Sequence, residues 1–202
     1  INPKNNNIIM ENGTSFESTA PYIVGIGASA GGLEAIESFF KKMPINSGLA
    51  FVVVQHLSPD YKSLMAELLS KHTEMPVHRI EDGIAVKQNH IYLIPPRQNL
   101  TIFHGKLLLK EQVRSEGLNL PVDIFLRSLA EDAGNRAIAI ILSGTGSDGT
   151  RGIRAIKEHG GMVMVQDEES AKFTGMPNNA TGTGLADFIL APDEMPTQLL
   201  SF

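Results

Sequence analysis

Three residues in this chain have the side chains that a serine-based acyl transfer needs, and each lies in the segment that follows an apolar run. Ser29 lies in Gly27-Ala28-Ser29-Ala30-Gly31, after the run YIVGI. The pattern fits G-x-S-x-G, in which a sharp strand-to-helix turn exposes a serine hydroxyl. Small neighbours let the backbone bend and let a substrate carbonyl approach. His56 follows FVVVQ and precedes Leu57-Ser58-Pro59-Asp60. Asp148 lies in Ser143-Gly144-Thr145-Gly146-Ser147-Asp148-Gly149, after AIAIIL. A nucleophile, a base and a carboxylate that fixes the tautomer of the base make up a triad, and triads are recognised by geometry rather than by chain order.

Each residue also has a plainer reading. Ser29 and Asp148 are good helix N-caps, and His56 alone is an ordinary strand-end histidine. The same glycines support a rival of another class. Gly25-Ile26-Gly27-Ala28-Ser29-Ala30 fits the dinucleotide fingerprint G-x-G-x-x-G/A. That fingerprint wants an acidic residue at the end of the second strand to hold ribose, where this chain has Gln55-His56. Asp148 in the second glycine loop would also repel a phosphate. A non-catalytic interaction domain, with all three residues structural, is the remaining alternative. The other histidines, His72, His78, His90, His104 and His159, show no metal-ligand spacing, and the chain has no cysteine.

The elements that would position these residues alternate. YIVGI (Tyr22–Ile26) reads as a strand, and LEAIESFFKKM as a helix with apolar Leu33, Ile36, Phe39, Phe40 and Met43. LAFVVVQ (Leu49–Gln55) is continuously apolar, as expected of a strand covered on both faces. YKSLMAELLSKHT (Tyr61–Thr73) reads as a helix. HIYLIPP and NLTIFHGKLLLK are β-rich, the latter with a hairpin turn at His104-Gly105. VDIFLRSLAEDAG is helical, with Pro121 at its start and Gly134 at its end. AIAIIL (Ala137–Leu142), MVMVQ (Met162–Gln166) and DFIL (Asp187–Leu190) are strands, and TRGIRAIKEHGG is a helix closed by glycines. The expected fold is α/β: a doubly wound, mostly parallel sheet with helices on both faces and an antiparallel hairpin section near residues 77–110. Sites in such sheets form beyond the carboxyl ends of the strands, where Ser29, His56 and Asp148 fall.

The 202 residues suffice for one large core, and a net charge of -5 leaves no basic face for nucleic acid. No apolar run approaches the roughly 20 residues of a membrane span, so direct membrane insertion is not expected. Residues 1–20 are rich in Asn and Ser and read as a disordered leader or linker; residues 21–202 read as the folded domain. No secretory signal pattern is present, and a cytoplasmic location is expected.

Several longer motifs then occur together and in order: IVGIGASAGGLEAI, VVVQHLSPD, IYLIPP, PVDIFLRSLA, ILSGTGSDGTRGI and FTGMPNNA. They resemble the catalytic domains of CheB-type protein-glutamate methylesterases from about Tyr22 to about Leu200. The wording of GASAGGLEAI and LSGTGSDGT is most similar to domains fused to a CheR-type methyltransferase and signalling modules. The resemblance implies hydrolysis of glutamate γ-methyl esters on chemoreceptors, with release of methanol, and deamidation of particular glutamines. It maps the family triad onto Ser29, His56 and Asp148, and implies an oxyanion hole of the Ala30 and Thr145 backbone N–H groups. It implies no metal and no organic cofactor. The chain departs from the family at Ala30 (commonly Thr), at Thr145 (commonly Met), at Asn99 (commonly His) and at Pro96 and Arg97. These departures bear on the substrate more than on the chemistry.

Overall fold

The computed structural model describes residues 20–55, 64–113 and 117–202. In chain order, β1 (Ile23–Ala28), α1 (Gly32–Lys42), β2 (Ala50–Gln55) and α2 (Met65–Ser70) come first. The strands β3 (Val77–Arg79), β4 (Ile84–Ala85), β5 (Ile91–Leu93), β6 (Gln98–Phe103) and β7 (Lys106–Glu111) follow. Then come α3 (Pro121–Ala133), β8 (Ala137–Ile141), α4 (Thr150–Glu158), β9 (Met162–Gln166), α5 (Gly175–Gly182), β10 (Phe188–Leu190) and α6 (Met195–Leu200).

Seven strands form one sheet in the order β10-β9-β8-β1-β2-β5-β3, with every pairing parallel. The strands alternate their side chains between two cores. Val24, Ile26, Phe51, Val53, Ile138 and Ile140 face α1, α2 and α6. Ile23, Val52, Val54, Ala139, Ile141, Val163 and Val165 face the side of α3, α4 and α5. Helices therefore cover both faces, as the continuous apolar runs require.

The antiparallel part is smaller than the sequence suggests. It comprises β4, β7 and β6 only, while β3 and β5 join the parallel sheet. Short apolar strands such as IYL carry no signal of their direction; the crossover that follows them decides it. The β6–β7 turn lies at His104 (φ 49°) and Gly105 (φ 71°), the paired left-handed geometry of a tight hairpin. This hairpin holds α3 from outside. Ile102 N–H donates to Ser128 Oγ at 3.0 Å, and Gly105 N–H donates to Asp132 Oδ2 at 3.0 Å.

On its inner side α3 lies unusually close to β1, because Gly25 and Gly27 present no side chain to it. A Cβ on Gly27 would stand 2.4 Å from Val122 Cγ1, and one on Gly25 would stand 2.8 Å from Leu126 Cδ2. Gly152 performs the same service between α3 and α4, where a Cβ would meet that of Leu126 at 2.6 Å. The sheet reverses its winding between β1 and β8, which places a crevice above their carboxyl ends.

Two helices escape the periodicity of the sequence. The helix α5 (GMPNNATG) is built from poor helix formers and is held by burial of Met176, Pro177 and Ala180. The six-residue α6 is too short to show a period and is anchored by Met195, Pro196 and Leu199. Of the expected helix Tyr61–Thr73, the described part is helical over Met65–Ser70, and residues 61–63 lie outside the described residues. So does the expected leader, apart from Ala20.

Candidate active site

Ser29 leaves β1 into a turn fixed on both sides. Its N–H donates to Ser143 O at 3.0 Å, and its carbonyl accepts from Gly32 N–H at 3.0 Å and from Gln55 Nε2 at 3.3 Å. Gly31 takes φ 70° and is the N-cap residue of α1, with no side-chain cap bond. Ser29 is thus not a helix cap, and it is half-buried. An added Cβ at Gly144 would stand 2.9 Å from Ser29 Cβ, so the loop after β8 passes directly against the serine.

Ser143, which is fully buried, ties the strand ends together. Its hydroxyl donates to Ala30 O at 2.8 Å and accepts from Phe173 N–H at 2.9 Å. Its own N–H donates to Gln166 Oε1 at 2.8 Å. Sequence reasoning missed Ser143, Gln55 and Gln166 as members of this framework. They shared a signal: each is a polar residue at the end of an apolar run, and each is buried. A polar group buried there needs hydrogen-bond partners, which here are the turns of the neighbouring strands.

Asp148 sits at the far end of the same loop and is 8% exposed. It does not cap the helix that follows it; the N-cap residue of α4 is Gly149. Its carboxylate instead receives the first amides of α3, Val122 N–H at 3.0 Å and Asp123 N–H at 2.9 Å. Burial pushes its carboxyl up to about 6; the two amide bonds oppose that rise, and the nearby Asp123 carboxylate adds to it. Two amide donors leave lone pairs on both oxygens for a further donor from the crevice.

His56 lies outside the described residues. The residue before it, Gln55, is paired in register with Ala28, the residue before Ser29. Among the described residues, Ala30 N–H and Thr145 N–H donate to no backbone or side-chain acceptor, and Thr145 is exposed. The glycines of the dinucleotide reading have another role. Gly25 and Gly27 lie inside β1 and receive α3, so neither forms a phosphate-binding turn. The described residues contain no cluster of three or more His, Asp or Glu side chains suited to a metal ion.

The family model for CheB methylesterase matches residues 24–199. The chain belongs to the CheB methylesterase family. A protein-glutamate methylesterase/protein-glutamine glutaminase of Trichodesmium erythraeum is 32% identical over 187 residues, covering 88% of this chain and 52% of that protein. The equivalent protein of Thermotoga maritima is 33% identical over 182 residues, covering 88% and 53%. The chain therefore spans about half the length of these relatives. An uncharacterized 104.1 kDa protein of Rhodobacter capsulatus is 44% identical over 126 residues, covering 62% of this chain and 13% of that protein. Among solved structures, the crystal structure of the Thermotoga maritima CheB methylesterase catalytic domain matches with a TM-score of 0.82 and 32% identity. It covers 90% of this chain and 98% of that one. The parallel sheet with its small antiparallel companion is thus the fold of a CheB catalytic domain. Among the described residues, no helix is long and apolar enough to cross a membrane.

Proposed function

We propose that this domain hydrolyses glutamate γ-methyl esters on chemoreceptor-type signalling proteins, with Ser29 as nucleophile, His56 as base and Asp148 as the carboxylate that orients the base. The observation that carries this reading is the contact of the Ser29 turn with the Gly144 end of the loop that brings in Asp148, in a chain of the methylesterase family. In this reading His56 takes the proton of the Ser29 hydroxyl as its oxygen attacks the ester carbonyl. The oxyanion is bound by Ala30 N–H and Thr145 N–H, both free of described acceptors. Collapse of the tetrahedral intermediate breaks the bond to methoxide, which leaves as methanol with the proton from His56. Water, deprotonated by His56, then releases the glutamate carboxylate and restores Ser29. With ammonia as the leaving group the same steps deamidate glutamine, the second activity in the relatives' names. The steps transfer acyl groups and protons only and are assigned to no metal or organic cofactor. The placement in this reading is cytoplasmic, with the domain working beside a CheR-type methyltransferase in a longer polypeptide; that the chain matches only 13% of the 104.1 kDa relative is compatible with a longer polypeptide and says nothing of a methyltransferase.

The experiment is methanol release from methylated receptor preparations, compared between the wild type and Ser29→Ala. Loss of about 10⁴–10⁶ in rate is expected, with an unchanged thermal melt. Methanol release by the variant at the wild-type rate sinks the nucleophile assignment. Binding of the receptor by the wild type with no methanol released favours an interaction domain instead.

A further inference from the structure

The helix α5 takes no part in the triad, yet it touches the loop 144–146 at successive points. At its start, Met176 N–H donates to Gly144 O at 2.9 Å, and Gly144 N–H donates to Phe173 O at 3.0 Å. One turn later, Asn179 Nδ2 donates to Gly146 O at 2.9 Å. The first-turn backbone of α5 and the Asn179 side chain thus hold two carbonyls of the loop. There is no slack between the two bodies. A Cβ on Gly175 would stand 3.0 Å from Gly146 N, and a Cβ on Gly144 would stand 2.3 Å from Met176 Sδ.

The direction of these bonds matters. The Gly144 carbonyl and the Thr145 N–H belong to one planar trans peptide, so they point opposite ways. With the carbonyl bound to α5, the Thr145 N–H is turned away from α5. The next peptides have less support. Thr145, Gly146 and Ser147 are exposed, and Gly146 holds φ 82° with nothing within 4 Å of an added Cβ. Glycine is free to leave that conformation. Beyond it, Ser147 O is held by Thr150, and the Gly146 carbonyl is held by Asn179. Asparagine is a mediocre residue inside a helix, and its amide here serves the loop across 33 residues of sequence rather than its own helix.

We infer that α5 is a two-point clamp that aims the Thr145 N–H, and that Asn179 is its positioning residue. The inference rests on the oxyanion role proposed above for Thr145. In the transition state the amide must meet a charge that the ground-state ester lacks. A loosened loop therefore lowers turnover without weakening binding of the ester. Loss of one hydrogen bond of this kind is expected to slow turnover by about two- to tenfold.

The test uses a peptide carrying a glutamate γ-methyl ester, with Asn179→Ala and the near-isosteric Asn179→Asp. Asparagine's donor is absent from both, and in the second a carboxylate faces the Gly146 carbonyl. Expected are a kcat lowered by about two- to tenfold in Asn179→Ala and by more in Asn179→Asp, an unchanged KM and a melting temperature close to wild type. A raised KM at constant kcat makes Asn179 a substrate contact and overturns the proposal. Wild-type kinetics in both variants also overturn it. Amide hydrogen exchange at Gly144 and Met176, whose N–H groups are bonded across the contact between loop and helix, reads the clamp independently of catalysis. Faster exchange in Asn179→Ala is expected, and unchanged exchange overturns the clamp. Faster exchange together with a wild type that hydrolyses no ester retains the clamp and overturns the esterase reading.

Discussion

Asp123 and Asp148 serve each other's helices. Asp148, which directly precedes the N-cap of α4, accepts the first amides of α3. Asp123, in the first turn of α3, accepts Gly152 N–H of α4 at 2.7 Å. Each carboxylate thus lies in the positive end of the neighbouring helix. The exchange locks the two N-termini together. It also buries two like charges side by side: Asp123 is 5% exposed, and its Oδ2 has no partner among the described residues. Burial pushes its carboxyl upward against the pull of the Gly152, Gly149 and Arg151 amides and of the Arg151 charge.

The Asp148→Asn variant should lose about 10⁴ in turnover while still binding substrate, because its amide can donate to His56 and favour the wrong tautomer. It should also move the melt. The carboxylate accepts from both Val122 and Asp123, and Asn offers one acceptor oxygen, so its NH2 group faces one of those amides. Relief of the buried charge offsets that loss, so the net change is expected within about 2 kcal/mol. Turnover and urea melts on one sample check both parts. Unchanged turnover with an altered melt would reduce Asp148 to a cap of α3.

Replacing Asp123 with Asn should shift the pH dependence of both activity and stability. Asp148 must be ionised to orient His56, so kcat/KM should rise with pH through about 6, the value to which burial lifts Asp148. The Asp123 carboxylate contributes to that lift, and its removal moves the acid limb to lower pH. Stability follows the same sign. A carboxyl raised in the fold retains a proton that the unfolded chain releases, so its contribution is complete below about pH 4 and is lost as pH rises through the folded value. The Asp123→Asn variant lacks one such group, while its amide oxygen can still accept from Gly152 N–H. Its stability relative to wild type should therefore increase as pH rises above about 4, the unfolded value of an Asp carboxyl. Coincident acid limbs would show that the two carboxylates do not interact, and a stability difference constant with pH would show that the Asp123 carboxyl is not raised in the fold.

Gly27→Ala should disturb the site through the close approach of α3 to β1. It places a methyl group 2.4 Å from Val122 Cγ1, which forces the start of α3, and Asp148 with it, away from the sheet. A loss of about 1–3 kcal/mol in stability is expected, with a fall in turnover. Gly27→Ala combined with Val122→Ala should recover part of both, because the second change removes the clashing side chain. A double variant that equals the sum of the single ones, in melts and in turnover, would place the defect elsewhere.

The sequence by itself determined the α/β class, the strands β1, β2, β8 and β9, and the placement of Ser29 and Asp148 in loops beyond strand ends. Those features are local: a continuous apolar run followed by glycines and one polar residue carries its meaning within about ten residues. Tertiary structure decided what is non-local. The partners of the Asp148 carboxylate lie 25 and 26 residues away on α3, so the only helix that the sequence could offer it to cap was its own. Gly25 and Gly27 fitted a phosphate-binding turn as well as a strand, until the approach of Val122 and Leu126 showed what their missing side chains make room for. The helix α5 was illegible because Gly, Pro and Asn argue against a helix, and only burial of Met176, Pro177 and Ala180 against the rest of the fold outweighs that local preference. The direction of β3 and β5 was likewise set by the sheet, since a three-residue apolar strand pairs equally well either way and gains its burial only from the neighbour it joins.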